Sequence, residues 1–271
     1  MAGPLISLLS DFGLRDPSAA IMRGVVLDIV PDARIVDISH EVRKFAIRDG
    51  ALLLWCALPY LPVGFHVAVV DPGVGTARLP IAIATARGDI LVGPDNGLLV
   101  AAAGRLGGIA AVHVLEAEAY RLPVVSTSFH GRDIFAPAAA HLARGVAIAD
   151  LGRALDPARL VASPIADAEV GDGELRSSVV YVDTFGNVKL AGLRADLEAA
   201  VGAISPGERL VLAIGDRRIE TSWQATFGDV APGETLVYED SYGRLCLAAS
   251  QASAADIHAI VDDLGVVIRR S

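Results

Sequence analysis

PLISLLSDFGLRDPSAAIMRGVVLDIVPDARIVDIS, residues 4–39, decides the fold. PLISLLS reads as a strand. From Asp16, a cap with Pro17 at the first helical position opens SAAIMRGVVLDIV, which stops at Pro31; RIVDIS is then a second strand. Strand, helix, strand in that order predicts a parallel sheet covered by crossover helices. Working outward, a helix is expected over about residues 46–58, a strand at FHVAVVD, and two strands around a Gly–Asp turn in IAIATARGDILVG. DNGLLVAAAGRLG and IFAPAAAHLARG read as helices, each closed by glycine.

Residues 152–175, rich in Pro, Asp and Gly, break the pattern and read as a linker. Beyond it SSVVYVD, ERLVLAIGDRRIETSW and ETLVYEDSYGRLCLAAS are short strands between turn residues. The expected fold is therefore α/β: an N-terminal α/β domain over 1–151 with a mainly parallel sheet flanked by helices, and a smaller C-terminal β-barrel-like domain over 176–271.

With 271 residues, 53% of them hydrophobic, the chain can bury one large core or two modest ones. A formal charge of −9 argues against nucleic acid, whose binding needs a basic footprint. No apolar run reaches the roughly 18 residues that suggest a membrane span, and MAGPLISLLSDFG lacks the basic region of a signal peptide, so neither membrane nor export is expected. Cys56 and Cys246 lie in apolar runs far apart, which suits buried thiols in a reducing compartment, the cytoplasm.

Open α/β sheets bind ligands beyond the carboxyl ends of their strands, and acids stand there repeatedly: Asp11, Asp37, Asp71 and Asp95. Asp16 and Asp95 also suit caps or turns. In DPGVGTAR, residues 71–78, a tight turn presents Asp71 and Arg78 but lacks the Lys-Ser/Thr of a phosphate loop; alone, the pair reads as a surface ion pair. His130 stands just before a helix N-terminus, where the partial positive charge disfavours imidazolium and keeps the ring neutral, as a general base requires. Asp133 reads as that helix's cap and Arg132 as a solvent-facing or structural charge. DTFGN (183–187) and DSYGR (240–244) are either hairpin turns or parts of a site, and Trp223 and Phe227 either core or a stacking face for a base.

Taken together, SDFG at 10, DPGVG at 71, GPDNG at 93, FHGRDIFAPAAAHL at 129, DTFGN at 183 and DSYGRL at 240 resemble the S-adenosyl-L-methionine hydroxide adenosyltransferases, relatives of the fluorinases and chlorinases. The resemblance implies adenosine and L-methionine as products, no cofactor, and a homotrimer with active sites where one subunit's first domain meets a neighbour's second. It implies catalytic roles for Asp71, Arg78 and His130. Asp11 would hold the ribose hydroxyls, with Phe45 near the sugar; Asp183 and Ser241 would surround the methionine moiety, Asn187 would read adenine, and Phe227 would lie on it. Where halogenases carry Tyr-Ser, this chain has His130-Gly131, and where fluorinase has a tyrosine before its proline, it has Asp71. Tyr242 replaces an arginine of the halogenases, and Ser250 an asparagine of many relatives.

In the mechanism these residues suggest, His130 takes a proton from water as it attacks the ribose C5′, Asp71 orients the ring, and Arg78 holds the water. Three alternatives are weighed against it. A halogenase would yield a 5′-halogenated nucleoside, a metal-dependent phosphoesterase built on Asp11, Asp71, Asp95 and His130 would be chelator-sensitive, and a non-catalytic nucleoside sensor would bind without turnover.

Overall fold

In the computed structural model, which describes residues 3–271, the chain divides into two compact units, one running to Pro164 and the other starting at Ile165. The opening stretch forms β1 (Leu5–Ser10), α1 (Ser18–Ile29) and β2 (Arg34–Ser39), with the strands parallel. Asp16 starts α1 by accepting the Ser18 N–H at 3.0 Å, and the first helical residue follows Pro17. Next come α2 (Ile47–Ala57), β3 (Phe65–Val69), β4 (Pro80–Thr85), β5 (Ile90–Pro94), α3 (Val100–Arg105) and β6 (Ile109–Val114). One π-helical turn, Gly131–Phe135, runs into α4 (Ala136–Ala143).

The strand order is β2-β1-β3-β5-β4-β6, parallel from β2 to β5 and antiparallel on both sides of β4. The mixture has a local cause. Only residues 86–89, turning through Gly88 at φ 103°, join β4 to β5, and so short a link cannot make a parallel crossover. Every residue of β1 is buried. Ile6 and Leu8 belong to a core with Met22 and Val26 of α1 and Ala138 and Leu142 of α4. α3 is shorter than its apolar pattern because the side chain of Asn96 folds what precedes it into a turn: Oδ1 accepts the Leu98 N–H, and Nδ2 donates to the Val70 carbonyl.

A polar chain crosses this core. Ser7 Oγ lies 2.7 Å from His66 Nδ1, and His66 Nε2 lies 3.0 Å from Asp89 Oδ1, all three residues being fully buried. Arg87 donates to both Asp89 oxygens. Burial opposes ionisation of Asp89, but hydrogen bonds from Arg87 and His66 outweigh it and hold the carboxyl well below the usual range.

The second unit contains β7 (Glu169–Val170), β8 (Glu174–Val182), β9 (Val188–Leu193), α5 (Arg194–Val201), β10 (Arg209–Ile214), β11 (Arg217–Ser222), β12 (Thr235–Glu239), β13 (Arg244–Ala249), α6 (Ala254–Ile257) and β14 (Gly265–Arg270). Its antiparallel strands run β11-β10-β14-β8-β9-β13-β12, with β7 paired beside β8. The two end strands return to each other where Trp223, just beyond β11, bridges to Val237 of β12, which nearly closes a barrel. Residues 152–175, expected as a linker, are partly built into the sheets: Leu155 N–H donates to the Val112 carbonyl, and β7 pairs with β8.

Replacing Asp89 by Ala should cost about 3 kcal/mol or more in urea unfolding, because His66 and Arg87 lose their buried acceptor. The folded carboxyl releases its proton more readily than the unfolded one, so its contribution is complete above the ordinary value of 3.8 and fades as the pH falls below it. Asp89→Asn should therefore flatten the acid limb of the stability profile.

Candidate active site

After β1 the chain places β2 on one side and β3 on the other, so the carboxyl ends of β1 and β3 flank a topological switch point. Asp11 follows β1 directly, and Asp71 lies two residues beyond β3. Between them opens a cavity of about 310 Å³, lined also by Phe45, Phe129, His130 and Gly131. Asp11 Oδ2 accepts the Phe45 N–H at 2.9 Å. Phe45 has φ 66°, a backbone conformation costly for a bulky residue, and its ring is 70% exposed. The loop that imposes this conformation is tied down at His40, whose ring binds Ser10 Oγ at 2.7 Å and Asp37 at 3.0 Å and whose carbonyl accepts the Gly13 N–H.

Asp37 is thus a support for that loop, pairing with Arg23 as well as His40. Asp95 accepts the Val161 N–H and fastens a later segment. Asp133 does not cap the helix: it lies inside the π turn, fully buried, accepting the Ser126 N–H at 2.8 Å and pairing with Arg132. Burial opposes its ionisation, yet the bonds from Arg132 and Ser126 lower its pKa.

Asp71 and Arg78 do not form a surface pair, their side chains being 4% and 9% exposed. Arg78 Nη2 donates to Asp71 Oδ2 at 2.5 Å and to His130 Nδ1 at 2.7 Å, and the guanidinium lies 5.2 Å from the centroid of the buried Phe135 ring. The hydrogen bonds therefore run from Asp71 through Arg78 to His130. The expected arrangement, with Asp71 holding the ring directly, gives way to one in which the guanidinium holds it. A guanidinium can only donate, so Nδ1 accepts and the neutral ring carries its proton on Nε2. Burial first, then the Arg78 charge, lowers the His130 pKa against the opposing pull of Asp71, Asp133 and the Ser126 carbonyl. The ring is neutral, but with Nδ1 held by Arg78 and the proton on Nε2 it has no free lone pair to take a proton from water, so the base expected from the sequence gives way to a hydrogen-bond donor.

Gly131 lies in close quarters. A Cβ there would lie 3.2 Å from both Met22 Sδ and Phe12 Cζ, so a serine would press those side chains by a few tenths of an ångström, next to the aromatic pair Phe12–Phe129, whose centroids are 5.5 Å apart.

The second unit holds a cavity of about 570 Å³ that gathers Asp183, Asn187, Phe227 and Ser241. Two turns of the same construction build its wall. Asp183 Oδ1 accepts the N–H groups of Phe185 and Asn187, and Asp240 Oδ1 those of Tyr242 and Arg244, each turn closing on a glycine of positive φ. DTFGN and DSYGR are thus both turns and cavity lining. Phe227 is 39% exposed and packs against Tyr238, with ring centroids 4.9 Å apart. Trp223, at 3% exposure, belongs to the core. Ser250 is buried, and its backbone pairs with Gly233 and Glu234. Sequence reasoning missed Lys189, which lines this cavity beside Asp240; its signal was a single charge inside the apolar strand VKLAGL.

Two family models match the chain: the SAM hydroxide adenosyltransferase N-terminal domain over residues 6–152 and the C-terminal domain over 177–263. An (R)-S-adenosyl-L-methionine hydrolase of Salinispora tropica is 43% identical, covering 94% of this chain and 93% of that protein. A fluorinase of Actinopolyspora mzabensis is 28% identical over 99% of this chain and 98% of its own. The crystal structure of an uncharacterized conserved protein from Thermotoga maritima superposes with a TM-score of 0.91 at 32% identity, covering 98% of this chain and all of that one.

Removing the guanidinium should raise the His130 pKa, since Arg78 repels a proton on the ring while Asp71 would then act unopposed. An NMR titration should give a midpoint below the ordinary 6.5 for His130 in the unaltered protein and a higher one in Arg78→Met.

Proposed function

The chain belongs to the SAM hydroxide adenosyltransferase family, and we propose that its activity, hydrolysis of S-adenosyl-L-methionine to adenosine and L-methionine, takes place at Asp71, Arg78 and His130. The observation that carries this placement is the half-buried Asp71–Arg78–His130 chain standing beside Asp11 at the switch point. Sulfonium makes methionine a neutral leaving group, so the reaction needs an aimed oxygen nucleophile and no general acid. The water oxygen forms a bond to C5′, the C5′–S pair returns to sulfur, and the released proton passes to solvent. Bulk water has a pKa of about 15.7, so the oxygen gains most from donors that favour hydroxide character as it attacks. Neutral His130, with its proton on Nε2, and the fixed charge of Arg78 are such donors, and Asp71 keeps the guanidinium in place.

Asp11 holds the ribose hydroxyls, with Phe45 beside the sugar. Asp183 and Ser241 receive the methionine end, Asn187 reads adenine, and Phe227 stacks on it. Each unit carries only part of this set, which supports a homotrimer whose first unit in one subunit completes its site with the second unit of a neighbour. Dryness at such a seam favours hydroxide meeting sulfonium, because their charges cancel in the transition state. The enzyme acts in the cytoplasm without a cofactor. A halide pocket is disfavoured by His130-Gly131, which stand where halogenases carry Tyr-Ser.

Incubation of pure protein with S-adenosyl-L-methionine in 18O-water should give adenosine labelled at its 5′ oxygen, and His130→Ala, which removes one donor to the attacking oxygen, should lower kcat by about 100-fold or more. If liquid chromatography shows no adenosine above background, the reading fails. Protonating His130 sets like charge against Arg78, so kcat/KM should hold steady at neutral pH and decline below the ordinary imidazole value of 6.5. Subunit sharing predicts that co-expressed His130→Ala and Asp183→Ala chains regain activity that neither has alone.

A further inference from the structure

Lys189 interrupts an apolar strand and is nearly buried, with Nζ 2.5 Å from Asp240 Oδ2 and 5.1 Å from the Tyr242 ring centroid, at the wall of the 570 Å³ cavity. Its simplest role would be to neutralise Asp240. The twin turn shows that building the loop does not demand a cation. There the second carboxylate oxygen, Asp183 Oδ2, is satisfied at 2.9 Å by the neutral amide of Asn187. A buried ammonium costs desolvation that an amide avoids. What the lysine adds is positive charge at the cavity wall, next to the hydroxyl-bearing Ser241.

Charge then selects what that wall receives. S-adenosyl-L-methionine carries two cations, sulfonium and ammonium, and one carboxylate. Among the described residues lining the cavity, Asp183 and Asp240 are negative and Lys189 alone is positive. The other charged groups on this wall, Asp183 and Asp240, repel a substrate carboxylate. Resting on the hydrolase reading, we infer that Lys189 seats the carboxylate of the methionine end and thereby selects amino-acid-bearing sulfonium substrates over those that lack the carboxylate. Tyr242 keeps the ammonium in register through its ring face, and Asp240 fixes it from the other side.

The test compares S-adenosyl-L-methionine with its decarboxylated counterpart in the unaltered enzyme and in Lys189→Met, Lys189→Arg and Lys44→Met. The unaltered enzyme should show a KM roughly 10- to 100-fold lower for the carboxylate-bearing substrate, the range of a charge-assisted bond. Lys189→Met should erase that preference by raising KM for S-adenosyl-L-methionine alone, with kcat within about threefold, and Lys189→Arg should restore most of it. Equal KM values for the two substrates in the unaltered enzyme would overturn the inference without any variant. So would a Lys189→Met enzyme that weakens both substrates alike, or a preference lost in Lys44→Met, since Lys44 lines the first unit's cavity. Absence of adenosine from the unaltered enzyme would instead sink the hydrolase reading, and calorimetric Kd values for the same two compounds would then decide the seat.

Discussion

The candidate site depends on one group that cannot give up its proton. Arg78 donates to a carboxylate on one side and to an imidazole nitrogen on the other, and because a guanidinium has no accepting form, it dictates the state of both neighbours. Asp71 accepts from it through both carboxylate oxygens. His130 stays neutral, with its tautomer set. A lysine at the same place could lose its charge on burial and would present no planar fork, so neither neighbour would be held so firmly.

Around that group the fold arranges support in layers. Phe135 backs the guanidinium, the π turn sets His130 at the mouth of α4, and the loop through His40 holds Phe45 in its strained conformation. A bulky residue at positive φ is stable only where its surroundings leave it no alternative. Here the surroundings are two strand ends laced together by backbone bonds from Gly13 to His40 and from Val42 to Ser10.

Much of this was legible in the sequence because local rules and global fold agree. β1, α1 and β2 are announced by an apolar run, a cap and a proline stop, and the barrel strands by regular turn residues. All the chosen site residues lie at one or the other cavity or in direct contact with its lining. What could not be read depends on which side chains the folded chain brings to the same atoms. Asp133 has the composition of a cap, but Ser126 and Arg132 claim its oxygens. Asp71 and Arg78 are close in sequence and pass for a surface pair until His130, 52 positions further on, is seen beside them. Lys189 passes for an ordinary strand residue until β13 brings Asp240 alongside.

The twin turns of the barrel unit separate shape from identity. In each, a single aspartate oxygen and a glycine fix the backbone, and two residues stand between them, Thr184 and Phe185 in one and Ser241 and Tyr242 in the other. A lineage can exchange the aromatic or the hydroxyl that meets a new molecule and keep the same scaffold, so diversification of appetite within this architecture has an inexpensive route.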